Sequence, residues 1–149
     1  MLNELYSEKI LAAAGSIPPA RRLVAPDASA RKISRVCGSE VSVDLNVRDG
    51  RIADFGIEAK ACALGQASAS IVARNIIGAA PSELYRLRVE MRAMLKDGAP
   101  PPQGERWRDL EALSVIREYP QRHASTLLVF DAVCAALETL GAHDALAKA

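Results

Sequence analysis

Three cysteines carry the reactive chemistry of this chain, and their surroundings differ. Cys62 stands in EAKACALGQASASIVA, where strand-like sequence gives way to small residues and then a helical pattern. Free backbone N–H groups and the positive end of a helix dipole favour a thiolate at such a junction. Ala63, Gly65, Ala67 and Ser68 keep bulk away from the sulfur, so a functional Cys62 and a buried, inert thiol stand as even alternatives. Cys37, in RVCGSEV, is followed by Gly38, which lets the backbone turn sharply and leaves the thiol uncrowded. Cys134 shares a helical stripe with Leu127, Phe130 and Leu137, where a free cysteine acts as a small hydrophobe. The separation of Cys37 from Cys62 is unlike a zinc knuckle, and a closed zinc site needs four ligands. With His123 distant in sequence, spacing alone is a weak case for a metal.

The elements that must hold these thiols follow from periodicity. Leu2, Leu5, Tyr6 and Leu11 predict a short amphipathic helix over 2–14, ended by Gly15 and Pro18–Pro19. RRLVAPDASARKIS reads as a loop. Val41, Val43, Leu45 and Val47 alternate with polar residues and predict a half-buried strand. Asp49–Gly50 suits a type I′ hairpin turn, with a return strand from about Ile52 to Ala59. Ile71, Val72, Asn75 and Ile76 predict a helix closed near Gly78, and Pro81 opens another with Leu84, Leu87, Met91 and Met94 on one stripe. A Pro/Gly loop at 97–106 is read as internal to a single domain covering 1–149. A short helix then runs through Leu110, Leu113 and Ile116, the last helix starts near Ser125, and the tail after 141 is read as frayed. Strands followed by helices give an α+β class: a small antiparallel sheet packed against several helices.

Composition narrows the partners. The chain has 149 residues, 50% of them hydrophobic, enough for one globular core. Lys plus Arg number 19 against 18 Asp plus Glu, and aromatics are 4%. A near-neutral chain without stacking residues argues against nucleic acid and leaves proteins as the natural partners. No apolar run approaches the roughly 18 residues of a spanning helix. MLNELYSEKI lacks the order of a signal peptide. A cytoplasmic chain with reduced thiols and no membrane role is expected.

Taken together, LYSEKIL, Cys37–Gly38 before a hairpin, Cys62 followed by ASAS, and DLEALSVIREYPQRHASTLL resemble the U-type iron–sulfur cluster scaffolds. That family comprises IscU, the N-terminal domain of NifU, and SufU. The similarity spans about residues 2–140, and the long segment between Ile77 and Tyr119 looks most like the SufU branch. The resemblance implies a three-stranded antiparallel sheet with three cysteines and an aspartate gathered at one end. It implies a scaffold or sulfur acceptor rather than a stand-alone enzyme, working with a cysteine desulfurase and with cluster-assembly or recipient proteins. Its cargo would be a transient [2Fe–2S] cluster, or zinc in members that relay sulfur.

Carried over by position, Cys37 matches the first cysteine and Cys62 the second, the possible sulfur acceptor. Two places depart from the pattern: the aspartate is Ser39, with Glu40 one step on, and the third cysteine is Ser125. A serine hydroxyl is a poor neutral ligand, so zinc or iron binding should weaken, and Ser125 cannot hold a persulfide. His123 is a candidate compensating ligand, with a loop histidine, hydrogen-bonded or solvated, as the equal alternative. Ser125 is expected to cap the last helix. Arg122 takes the basic place of the family motif, with a solvated arginine as its alternative. Two further possibilities stay open: a non-catalytic interaction module with a degraded site, or a dimer whose chains each give two cysteines to one cluster.

Overall fold

The computed structural model describes residues 8–15, 21–35 and 38–148, with side chains as far as Leu140. Helix α1 (Glu8–Gly15) precedes strands β1 (Ala28–Ile33), β2 (Glu40–Arg48) and β3 (Arg51–Lys60). Helices α2 (Ala63–Asn75) and α3 (Pro81–Asp97), a 3₁₀ helix (Glu105–Glu118), a 3₁₀ turn (Pro120–Arg122) and α4 (His123–Lys148) complete the order. Leu2, Leu5 and Tyr6 of the first predicted helix lie outside the described residues.

The hairpin forms as its turn chemistry demands. Asp49 and Gly50 have φ of 54° and 74°, and Arg48 faces Arg51 across the two-residue turn. The sheet runs β1-β2-β3, antiparallel throughout. Its class is therefore the expected α+β, a three-stranded antiparallel sheet packed against helices.

Two expectations for this region are corrected. The segment read as a loop contains β1, whose six residues, ASARKI, carry almost no apolar alternation. Pairing with β2 defines that strand, not its own pattern. And β2 is buried on both faces: Ser42 and Asp44 are 7% and 1% exposed. The cause is the chain from Arg21 to Asp27, which crosses the polar face of the sheet. Arg21 N donates to the Ile57 carbonyl at 3.0 Å. Gly56 allows the approach, because a Cβ there would lie 2.7 Å from the Arg21 carbonyl oxygen.

Asp44 fastens that crossing segment. Its carboxylate accepts from Arg22 Nε at 2.6 Å and Nη2 at 2.9 Å, Leu23 N at 3.0 Å and Ser29 Oγ at 2.5 Å. A buried carboxylate needs such partners to remain charged. They hold its pKa down at about 2, foremost through the hydrogen bond with Arg22.

The segment from Glu105 to Glu118 is a 3₁₀ helix fourteen residues long, well beyond the usual three or four. Trp107, Leu110, Leu113 and Ile116 are all buried. They recur every third residue, the period of a 3₁₀ and not of an α-helix, so one apolar row eclipses along its length. Trp107 Nε1 donates to Glu83 Oε2 at 2.7 Å, tying this helix to α3.

Helix α4 packs against β1, β2, α2 and α3. A helix so surrounded is apolar on most sides. The expectation that nothing nears spanning length is corrected here: among the described residues Pro120–Leu140 is long and apolar enough to cross a membrane. Of that apolar stretch 67% lies buried inside the fold, which accounts for its composition. The helical backbone continues to Lys148, past Gly141.

Candidate functional site

Cys62 occupies the junction its sequence suggested. β3 ends at Lys60, α2 begins at Ala63, and Cys62 between them has the extended backbone of an N-cap, φ −67° and ψ 172°. Its carbonyl accepts the Gln66 amide at 2.9 Å, the first bond of the helix. Its side chain does not cap the helix. The half-buried thiol points instead toward α4, with Sγ 3.6 Å from Ser125 Oγ.

The small residues after Cys62 have a different task from the one expected. Leu64, Gly65, Ala67, Ser68, Ala69 and Ser70 are buried. A Cβ on Gly65 would stand 2.8 Å from Ala61 Cβ and 3.3 Å from the Ser125 carbonyl oxygen. Small side chains let α2 lie tightly on α4, and this contact carries Cys62 to Ser125. They close the protein beside the sulfur more than they open space around it.

Ser125 is not the cap of α4. Pro120–Arg122 winds directly into the helix, which starts at His123 and leaves Ser125 inside the first turn. Its hydroxyl, 3% exposed as a residue, donates back to the Arg122 carbonyl at 3.2 Å. A capping hydroxyl would accept from an amide. Thr126 Oγ1 donates to the same carbonyl at 3.0 Å.

His123 also turns to the backbone. Its Nε2 meets the Ile116 carbonyl at 3.0 Å, and the residue is 6% exposed. A carbonyl only accepts, so Nε2 carries a proton and donates it to the Ile116 carbonyl. The hydrogen-bonded alternative thus describes Nε2, leaving Nδ1 as the only atom with which His123 could ligate.

Cys37 lies outside the described residues, but its flanks fix the end of the sheet concerned. Glu40 pairs with Ile33 on one side and Lys60 on the other. The β1–β2 connection and Cys62 therefore share one end. The connection is a tight loop in which Ser34 N donates to the Ser39 carbonyl and Gly38 N to the Ser34 carbonyl, both at 2.8 Å. Gly38 has φ of 72°, and a Cβ there would meet no atom of the described residues within 4 Å. Ser39, 3% exposed, directly precedes β2.

The donor set can be tested against a metal. Two ligand atoms roughly 2.0–2.3 Å from a tetrahedral zinc stand about 3.3–3.8 Å apart. The Cys62–Ser125 separation of 3.6 Å fits. The hydroxyl at position 125 thus stands at a ligand-like separation from Cys62 Sγ, and a neutral hydroxyl lacks a ligand's charge. Among the described residues no group of three His, Cys, Asp or Glu comes together to hold an ion.

Cys134 is structural, as its stripe predicted. It is 1% exposed and its Sγ–H meets the Leu84 carbonyl at 3.6 Å. Burial pushes the thiol up to about 11. Iodoacetamide is expected to label Cys62 in the folded protein and Cys134 only after denaturation. Peptide mapping reads the order, and equal labelling of both in the folded state would contradict it.

Fold and site together define a small α+β scaffold that presents a thiol at one end of an antiparallel sheet. No family model matches the chain. It is 31% identical over 104 residues, 70% of its own length and 72% of the relative's, to the iron–sulfur cluster assembly scaffold protein IscU of Thermotoga maritima. The crystal structure of a nitrogen-fixing NifU-like protein (N-terminal) from Brucella abortus superposes with a TM-score of 0.91 at 46% identity, covering 94% of this chain and 96% of that one. A putative SUF-system scaffold, FiSufU from Fervidobacterium islandicum, gives 0.81 at 21% identity over 91% and 98% of the two chains. That likeness is one of fold and does not sort the chain into the SufU branch. The chain belongs to the U-type iron–sulfur cluster assembly scaffold family.

Proposed function

We propose that the chain acts in iron–sulfur cluster assembly as a sulfur-accepting scaffold whose working thiols are Cys62 and Cys37. The observation that carries this reading is Cys62 Sγ, half-buried at a helix start and 3.6 Å from the hydroxyl at position 125. As a thiolate, Cys62 attacks the outer sulfur of a persulfide on a cysteine desulfurase. The S–S bond breaks, its electron pair leaves with the desulfurase cysteine, and Cys62 carries the new persulfide. No external oxidant enters. The Ser125 hydroxyl can turn from the Arg122 carbonyl and donate to the charged sulfur, a stronger hydrogen bond than the neutral one.

The cargo is then iron and sulfide, or zinc. Two thiolates per chain are half of the Cys₄ set that a [2Fe–2S] cluster takes, so further ligands must come from a second chain, from Nδ1 of His123 or from added thiols. The cytoplasm is the proposed place of action, since both thiols must stay reduced.

Incubation with a cysteine desulfurase and cysteine, followed by mass spectrometry, is expected to show one added sulfur on the peptide bearing Cys62. Absence of a persulfide on Cys62 and Cys37, with no iron or zinc in anaerobically purified protein, would reject the reading. A second reading, a docking module without sulfur chemistry, is favoured by the burial of Ser39 and Ser125 and the latter's bond to its own helix. It requires the Cys37→Ser, Cys62→Ser double variant to capture a desulfurase as well as the unaltered chain does.

A further inference from the structure

A groove of about 660 Å³ runs between the end of β1, helix α3 and the first turns of α4. Its floor is apolar, with Leu127 and Leu128, and exposed Ile33, at 52%, stands on one wall. The rim is cationic. Arg35 comes from the β1–β2 connection, while Arg92 and Lys96, one helical turn apart, come from α3. The one carboxylate in the lining, Asp131, is already held by Arg88 at 2.9 Å and Arg92 at 3.4 Å. Arg35 and Lys96 are exposed, and neither has an ion-pair partner among the described residues.

The charge is thus one-sided in a chain whose net charge is only +1. The groove also adjoins the sulfur site. Its wall at Ser34–Arg35 leads toward Gly38, and Ala124 on its edge precedes Ser125.

We propose that this groove docks an acidic segment of a protein partner, with carboxylates on Arg35, Arg92 and Lys96 and an apolar side chain on Leu127 and Leu128. Charge complementarity selects the acidic partner, and the apolar floor selects a peptide over a small inorganic anion. Nucleic acid fits less well, because no Phe, Tyr or Trp lines the groove as a stacking platform for bases. The surface rests on its own shape and charge, independently of sulfur transfer to Cys62.

Fluorescence anisotropy with a fluorescein-labelled Glu-Glu-Leu-Glu-Leu-Glu-Glu peptide tests it. Binding should fall about tenfold in Arg35→Glu and in Lys96→Glu, single reversals of rim charges. Arg86→Glu, on the same helix but outside the groove lining, makes the same charge change and should bind like the unaltered chain. No binding to the unaltered chain, or equal loss in all three variants, overturns the proposal. So does displacement of the peptide by inorganic phosphate at low millimolar concentration, which would mark a simple anion site. Tighter binding of a labelled oligothymidylate than of the peptide, lost in the same two groove variants, would assign the groove to nucleic acid and overturn it as well.

Discussion

Ser125→Cys is expected to raise the zinc affinity of this chain by roughly a hundredfold or more, because it places a second charged thiolate beside Cys62. The present hydroxyl lies 3.6 Å from Cys62 Sγ, within the spacing of two ligands on one tetrahedral zinc. A longer C–S bond extends the new ligand slightly toward the same centre. The change removes one hydrogen bond to the Arg122 carbonyl, so the fold should lose about 1 kcal/mol at most. Competition with a chromophoric chelator measures the gain. Ser125→Ala is the companion variant: if the hydroxyl is no ligand, zinc affinity should not change. A large loss in the alanine variant, or no gain with cysteine, would show that position 125 plays a different part.

Asp44→Ala is expected to lower stability by about 3 kcal/mol, read as a shift in the urea midpoint at constant slope. The lost carboxylate leaves the Leu23 amide and the Ser29 hydroxyl without their acceptor under a covered sheet face. Arg22 can turn to water in that variant, since its side chain is 51% exposed, so the cost falls on the two stranded donors. The pH dependence has a definite sign. Asp44 titrates at about 2 in the folded chain against an ordinary 3.8, so it binds its proton more weakly folded than unfolded. Its contribution is fully present above the unfolded value and is lost as the pH falls toward about 2, some 2 kcal/mol in all. Asp44→Asn should remove that part of the acid dependence. A variant whose stability falls just as steeply between pH 4 and pH 2 would place the acid sensitivity elsewhere.

Why some elements were legible and others were not has a common explanation. The Asp49–Gly50 turn, the α3 stripe from Leu84 to Met94 and the Cys134 position rest on local chemistry: φ preference, helical spacing and burial of one face. β1 rests on partners. Its residues have no pattern of their own, and only the register Ala28↔Leu45 through Ile33↔Glu40 makes them a strand. The three-residue recurrence from Trp107 to Ile116 was visible in the sequence, although an ordinary helix accommodates part of it; the eclipsed 3₁₀ row emerges once all four side chains are buried. Asp44 looked like a solvent-facing residue of an alternating strand, because nothing in VSVDLNV reveals that a segment some twenty residues upstream will cover it.

The residues themselves determined the α+β class, the hairpin, the helix start beside Cys62 and the family resemblance, all of which depend on short-range preferences or on ordered motifs. Tertiary structure decided which atoms meet. Gly65 lets two helices approach until Cys62 faces Ser125; the 3₁₀ turn before α4 converts an expected cap into a helix-interior hydroxyl; and Nε2 of His123 is held by a backbone carbonyl. Such encounters join residues far apart in the chain, and their distances follow from the packing of whole elements, which no local pattern encodes.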